Sequence, residues 1–250
     1  MKLGFYRTGF QEPSSAVLYS VIEFNQHLLT IITIIIVIVG WALYHIVNNF
    51  LEFSGIESRK FTHSKDLEIV WTSVPALTLL LLSLPSFTLL YAMDEAVAPD
   101  MTVKIIGHQW FWCYEIDDFL QIENCEVLSL KKALRYTSYL MVIDGIPAGD
   151  KEGLFRLLET TKRIMLPIKT FLRLLITSAD VLHSWSVPSF GIKMDACPGR
   201  LNQISLFVEK AGLYYGACYE ICGVQHGFMP ICVVSTFKEN ILSQILSLKF

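Results

Sequence analysis

Charge is the scarcest thing in this chain. Only 17% of its 250 residues are Asp, Glu, Lys or Arg, and 53% are hydrophobic. An ordinary soluble domain carries about 25% charged residues, so a chain this apolar is neither wholly water-facing nor a disordered tail. Positive charge is not in excess either. Twenty basic against 23 acidic residues give a net charge of −3, which excludes a nucleic-acid binder relying on bulk basicity. Six cysteines are too sparse for a disulfide scaffold. There is no internal repeat, no low-complexity segment apart from apolar runs, and no Arg-rich, acid-poor transit sequence at the start. The length suits one good-sized domain plus a membrane anchor.

The apolar excess sits near the N-terminus. No charged residue occurs between Glu23 and Glu52, and Leu28 to Val47 is nearly continuous Ile, Leu and Val. A second charge-free window runs from Glu68 to Asp94, centred on Leu77 to Leu84. A helix needs about 20 such residues to cross the hydrocarbon core. Two spans are therefore expected, at about 28–47 and 69–93, the second kinked rather than broken by Pro75 and Pro85. The first starts too late and runs too long for a cleaved signal peptide. A hairpin puts the tail and everything after residue 95 on one side. The loop 52–67 carries Arg59, Lys60 and Lys65, whereas 94–103 carries Asp94, Glu95 and Asp100. The basic loop belongs inside and the C-terminal domain outside.

Beyond residue 101 the period changes. Short β-branched and aromatic runs occur at Thr102–Ile106, Tyr139–Ile143, Phe171–Ile176, Ile204–Val208, Leu213–Ala217 and Ile231–Val234, several separated by turn formers. They predict an all-β domain, an antiparallel sandwich or barrel. Residues 116–137 are less regular, with a short helix or an extended loop both open. Ile241, Leu242, Ile245, Leu246 and Leu248 predict a closing amphipathic helix. The division expected is 1–95 for tail and hairpin and 101–250 for the sandwich with its C-terminal helix.

One stretch carries chemistry: Cys218-Tyr-Glu-Ile-Cys222-Gly-Val-Gln-His226-Gly-Phe-Met229-Pro230. Thiolate and thioether are soft ligands and imidazole is borderline, a set that suits copper first and zinc second. Structural zinc pairs cysteines differently and does not usually take Met. A Cys218–Cys222 disulfide would leave the His and Met without a role. A mononuclear blue site needs one Cys with two His, and here two thiolates share a loop. They can bridge two coppers held close together, so that an electron is gained or lost with little change in bond lengths. Such a pair wants a second imidazole, and His183 is the best candidate, following the strand Phe171–Ile176 at a sheet end. A lone His near a strand end is more often structural than a ligand.

The chain resembles subunit II of the haem–copper cytochrome c oxidases, especially the mitochondrial form. The motifs are Trp71-Thr-Ser-Val-Pro75-Ala76, Tyr91-Ala-Met-Asp-Glu95, Gly107-His-Gln-Trp110-Phe-Trp112, Leu182-His-Ser-Trp185, Asp195-Ala-Cys-Pro-Gly-Arg200-Leu-Asn202 and the Cys-rich loop. The resemblance implies a two-helix hairpin bearing a cupredoxin-like sandwich with a dinuclear copper centre, CuA. Its ligands would be His183, Cys218, the main-chain carbonyl of Glu220, Cys222, His226 and Met229, which quinol-oxidising relatives lack. Trp110 matches the exposed tryptophan that receives electrons from cytochrome c. The Glu220 side chain matches a ligand of a magnesium ion shared with subunit I. Glu68 matches the glutamate at the mouth of a proton pathway. Read without the family, Trp110 is a packed aromatic and Glu68 an interfacial charge.

The implied function is to accept electrons from cytochrome c and pass them to subunit I, where oxygen is reduced to water with proton pumping. Implied partners are cytochrome c, subunits I and III, accessory subunits and membrane lipid, with no nucleic acid. The implied location is the mitochondrial inner membrane, copper domain facing the intermembrane space. Phe111 and Cys113 stand where Tyr and Ser are expected. Cys113, Cys125, Cys197 and Cys232 read as small buried residues. Glu115, Asp117, Asp118, Glu123 and Glu126 could form an acidic patch steering a basic donor, or merely a solvated loop. Only Glu115 matches the family's docking surface. The alternative is a membrane-anchored copper carrier with an exchangeable site. A structural subunit with a decayed site is disfavoured by the complete ligand set.

Overall fold

Two uninterrupted helices account for the charge-free windows. The computed structural model describes residues 9–49, 62–95, 98–116, 134–142 and 153–241. Helix α1 spans Ala16–Asn49 and α2 Lys65–Asp94. A serine precedes each as N-cap: Ser15 Oγ accepts the Leu18 N–H at 3.2 Å and Ser64 Oγ the Leu67 N–H at 3.4 Å. At 1.5 Å per residue these helices are about 45–50 Å long, ample for a hydrocarbon core of about 30 Å. Nothing in the most apolar window of either is buried, so these side chains require lipid or other membrane helices around them. Hydroxyls along the spans bond back to the carbonyl four residues earlier, Thr33 to Leu29 at 2.7 Å and Thr78 to Val74 at 2.9 Å among them. Each such bond satisfies a hydroxyl that lipid could not. Helix α2 runs on through Pro75 and Pro85.

The chain divides into two compact units, residues 20–91 in one and the rest in the other. The second unit is a two-sheet sandwich. Its strands are β1 Met101–His108, β2 Phe111–Ile116, β3 Leu134–Ser138, β4 Ile164–Pro167, β5 Phe171–Ser178, β6 His183–Val187, β7 Ile192–Ala196, β8 Asn202–Phe207, β9 Gly212–Cys218 and β10 Pro230–Thr236. One sheet has the order β3-β2-β1-β5-β8, the other β4-β10-β9-β6-β7. The sheets are mixed rather than purely antiparallel, because β1 with β5 and β4 with β10 run parallel. Each parallel pair joins strands far apart in sequence, as parallel pairing requires.

Alternation builds the core. Met101, Val103 and Ile105 of β1 face inward, as do Leu172, Leu174 and Ile176 of β5, with Trp112, Trp185 and Phe190 buried between the sheets. Each such aromatic contributes on the order of 1.5–3 kcal/mol by leaving water. The expected strand at Tyr139–Ile143 is displaced: the strand is β3, pinned by β2 so that Tyr136 lies opposite Tyr114 and Ser138 opposite Trp112. Leu140 makes only an isolated bridge to Thr160, and Ile143 lies outside the described residues. So does 117–133, most of the irregular stretch. At the C-terminus a helical turn begins at Lys238, with Ile241 buried; the rest of the expected helix lies outside the described residues.

Residues 9–19 belong with the sandwich. The Ser14 N–H donates to Ser189 O at 3.0 Å, the Glu209 N–H to Ser14 O at 2.9 Å, and the Ser15 hydroxyl to Phe190 O at 2.6 Å. Leu18 is buried against Gly191, whose φ of +68° few other residues would adopt there.

Candidate metal centre

The site is assembled where two strand ends meet one loop. Strand β5 ends at Ser178, and a turn through Asp180 carries the chain across to the other sheet. His183 therefore opens β6 rather than simply trailing β5, and it is fully buried opposite Ala196 of β7. Cys218 closes β9, beside β6 through the pairing of Trp185 with Cys218. The loop 219–229 returns Cys222, His226 and Met229 to the same place before β10 begins. Gly107 makes room, since a Cβ there would stand 2.8 Å from the His183 ring. Gly223 has φ +124° and faces the Trp110 indole, so a side chain there would be both strained and crowded.

The donor atoms converge. Cys218 Sγ lies 4.0 Å from Cys222 Sγ and 4.0 Å from His183 Nδ1. Cys222 Sγ lies 3.5 Å from His226 Nδ1 and 3.5 Å from Met229 Sδ. The Glu220 carbonyl oxygen is 3.3 Å from Cys218 Sγ. Metal–sulfur bonds of about 2.3 Å and metal–nitrogen bonds of about 2.0 Å let one ion touch two donors at such separations. His183, Cys218 and Cys222 form a group able to hold a metal, all three buried.

Electrostatics favour a cation at this point. Burial raises both thiols, but His183 and backbone groups of Ser184 and Glu220 bring Cys218 down to about 7. Burial and then the neighbouring Cys218 push Cys222 up to about 12. Burial works against a charged His183, yet Cys218 and Asp180 hold its imidazole above the usual value. Two thiols this close share one negative charge readily and resist a second. A positive ion between them removes that resistance, so the donor set fits a soft metal.

The surroundings were less legible. Trp110 is half-buried rather than exposed, and its indole N–H donates to Cys222 O at 3.3 Å. Gln109 Nε2 donates to the same carbonyl at 2.9 Å, and Trp112 Nε1 to Met229 O at 3.3 Å. Asp180 receives His183 Nε2 at 2.8 Å. Sequence reasoning missed Gly107, Gln109 and Asp180; the three-residue spacing of Asp180 from His183 was the only local signal. Glu68 stands in the exposed first turn of α2, away from the cluster in sequence and in a different compact unit. Glu115 is ion-paired with Lys104 at 3.1 Å and Arg135 at 3.2 Å, so its charge is already answered within the sheet. Asp117, Asp118, Glu123 and Glu126 lie outside the described residues. Cys113 and Cys232 are buried and Cys197 half-buried, all as free thiols, while Cys125 is outside the described residues.

Helices of membrane length and a sandwich whose soft donors meet at one end define a class: membrane-anchored proteins with a cupredoxin-like domain and a cluster consistent with copper. The family described as cytochrome c oxidase subunit II, periplasmic domain, matches residues 101–236, and the corresponding transmembrane-domain family matches residues 4–89. The chain belongs to the cytochrome c oxidase subunit II family. Cytochrome c oxidase subunit 2 of Phytophthora megasperma is 43% identical over 238 residues, covering 95% of this chain and 85% of the relative. That of Chondrus crispus is 44% identical over 241 residues, covering 96% and 90%. The mitochondrial cytochrome c oxidase subunit 2 of Vigna unguiculata is 42% identical over 236 residues, covering 94% of this chain and 60% of the relative. Among solved structures, the periplasmic domain of subunit II of cytochrome oxidase of Bradyrhizobium japonicum superposes with a TM-score of 0.51. It is 29% identical and covers 61% of this chain and 96% of that one.

Proposed function

We propose that His183, Cys218, the Glu220 carbonyl, Cys222, His226 and Met229 hold a dinuclear copper centre, CuA. In this reading residues 101–250 accept electrons one at a time from cytochrome c and pass them to subunit I for oxygen reduction, with 1–95 as tail and membrane hairpin. The observation that carries it is the convergence of all six donors in a chain of the subunit II family. When bound, the copper pair supplies a one-electron relay whose geometry changes little with charge.

The residues around it do the rest. Cys218 and Cys222 would hold the metal as buried thiolates, and the buried His183 ring turns its Nδ1 toward Cys218. Trp110, one hydrogen bond from the Cys222 carbonyl, is assigned to receive the electron from the donor protein. The Glu220 side chain is assigned to a magnesium ion shared with subunit I, in keeping with a hard oxygen donor. Glu68, at the start of the second span, is assigned to the entrance of a proton pathway. Subunits I and III and accessory subunits are the partners within the membrane. The relatives called mitochondrial support a mitochondrial location; the inner membrane, with the copper domain in the intermembrane space, is the placement assigned, in keeping with the basic loop 52–67 on the inner side.

The test is copper content and electron paramagnetic resonance of the full-length chain. Two coppers per chain sharing one unpaired electron are expected. A single copper with a blue-type or ordinary cupric spectrum would remove the dinuclear assignment and bring the copper-carrier reading forward.

A further inference from the structure

A single carboxylate ties the cluster to the turn that bears Trp110. Asp180 lies in the turn between β5 and β6, with its side chain 31% exposed. Its Oδ1 receives His183 Nε2 at 2.8 Å and the Val181 N–H at 2.6 Å. Its Oδ2 receives the Gln109 N–H at 2.7 Å. The Ala179 N–H donates to Gly107 O at 3.0 Å, so the two turns are also joined through the backbone. From Gln109 and Trp110 two further bonds run to the Cys222 carbonyl, at 2.9 and 3.3 Å. The circuit is His183, Asp180, the 109–110 turn and Cys222, and it closes through the thiol pair and Cys218 back to His183.

The chemistry of the circuit is directional. An ionised carboxylate only accepts hydrogen bonds, so the nitrogen of His183 facing Asp180 carries the proton. The lone pair is then left on Nδ1, which faces Cys218. Outer-shell carboxylates of this kind fix the tautomer and ring orientation of a ligating histidine. Here the same carboxylate holds a backbone N–H 71 residues away, so the orientation of His183 and the placement of Trp110 over Cys222 are set together.

We infer that Asp180 is a positioning residue that couples the His183 ligand to the Gln109–Trp110 turn. The inference rests on the copper reading above. A competing role is a simple surface charge that attracts a basic donor, but the hydrogen bonds already occupying both oxygens argue for an internal duty.

Asp180→Asn separates these. The amide keeps one acceptor oxygen and sets an NH2 group against either His183 Nε2–H or the Gln109 N–H, so one bond of the circuit is lost. In the full-length chain we expect two coppers to load, to be released to a competing chelator about 10–100-fold more readily, and to give altered hyperfine splittings. In the metal-free chain, nitrogen-15 shifts of His183 should show loss of the fixed Nε2–H tautomer. Asp180→Glu retains the charge and both acceptors and should restore part of both effects; it also carries the test if the Asn variant does not accumulate. Wild-type splittings, chelator competition and tautomer in Asp180→Asn would overturn the inference while leaving the copper reading intact. A salt-dependent weakening of donor binding as the sole change would do the same and make Asp180 a surface charge. Failure of the unaltered chain to bind two coppers would overturn the copper reading and this inference with it.

Discussion

Strand β9 carries a buried polar cluster on each of its faces, and the two are built on opposite principles. Cys218 points into the sandwich toward His183 and Cys222. Tyr215, three residues earlier and so on the other face, points outward beneath the segment 153–163. There the Glu159 carboxylate, fully buried, receives the Tyr215 hydroxyl at 2.6 Å, Arg163 Nη2 at 3.0 Å and the Phe155 N–H at 3.4 Å. Every acceptor in that outer cluster meets a donor. In the inner one the donors are weak thiol S–H groups and an imidazole, set against sulfur, nitrogen and carbonyl lone pairs. A soft cation would displace those thiol protons and meet the freed lone pairs with stronger bonds. The matched cluster holds a segment in place, and the other is suited to take up a soft metal.

The largest effect should come from breaking the inner set. Cys218→Ser replaces a soft donor by a poor one, and on the proposed copper reading we expect loss of one or both coppers and of most oxidase activity, read by metal analysis and oxygen uptake. Full copper and retained activity would dissolve the distinction between the two faces. Next comes Glu159→Ala, which strips the donors of the outer cluster of their partner. Loss of hydrogen bonds to a buried charged group costs about 2–3 kcal/mol, with the Arg163 share discounted because that side chain is 39% exposed. The denaturation midpoint of the sandwich, followed by tryptophan fluorescence, should fall. Copper per folded chain should not. Parallel loss of copper would mean that the faces are coupled through β9.

The same contrast explains what was legible in sequence. The inner cluster draws four candidate ligands from one twelve-residue stretch, and soft residues crowded together are visible without a fold. The charge-free windows were equally plain because membrane length is a local property. Strand β6 was not. His183–Val187 reads His-Ser-Trp-Ser-Val, all five buried, with neither alternation nor a β-branched run to mark it. Strand β4 is four residues ending in Pro167, too short to stand out. The run at Tyr139–Ile143 had the right composition but not the pairing, because β2 fixes β3 at Leu134–Ser138. Asp180 and Glu159 went unnoticed as partners because their bonds join distant segments: Asp180 to Gln109, Glu159 to Tyr215. Composition locates ligands, whereas the groups that orient them are supplied by topology.

The smallest effect sharpens the comparison within one residue type. Cys232 pairs across to Tyr215 on the outer face and is 1% exposed. Burial pushes its thiol up to about 12, so it stays protonated throughout the working range, and a protonated thiol neither binds soft metals nor reacts readily. It serves as a small apolar filler. Cys232→Ala should therefore cost only about 1 kcal/mol, the loss of one methylene-sized group with a small cavity, and leave copper content and spectrum unchanged. In the native metal-free chain a thiol-alkylating reagent at pH 8 should spare Cys232 while modifying Cys218, because raising the pH frees the Cys232 thiolate only near 12. Rapid labelling of Cys232 at pH 8, or altered copper in its alanine variant, would show that the outer face takes part in the metal chemistry after all.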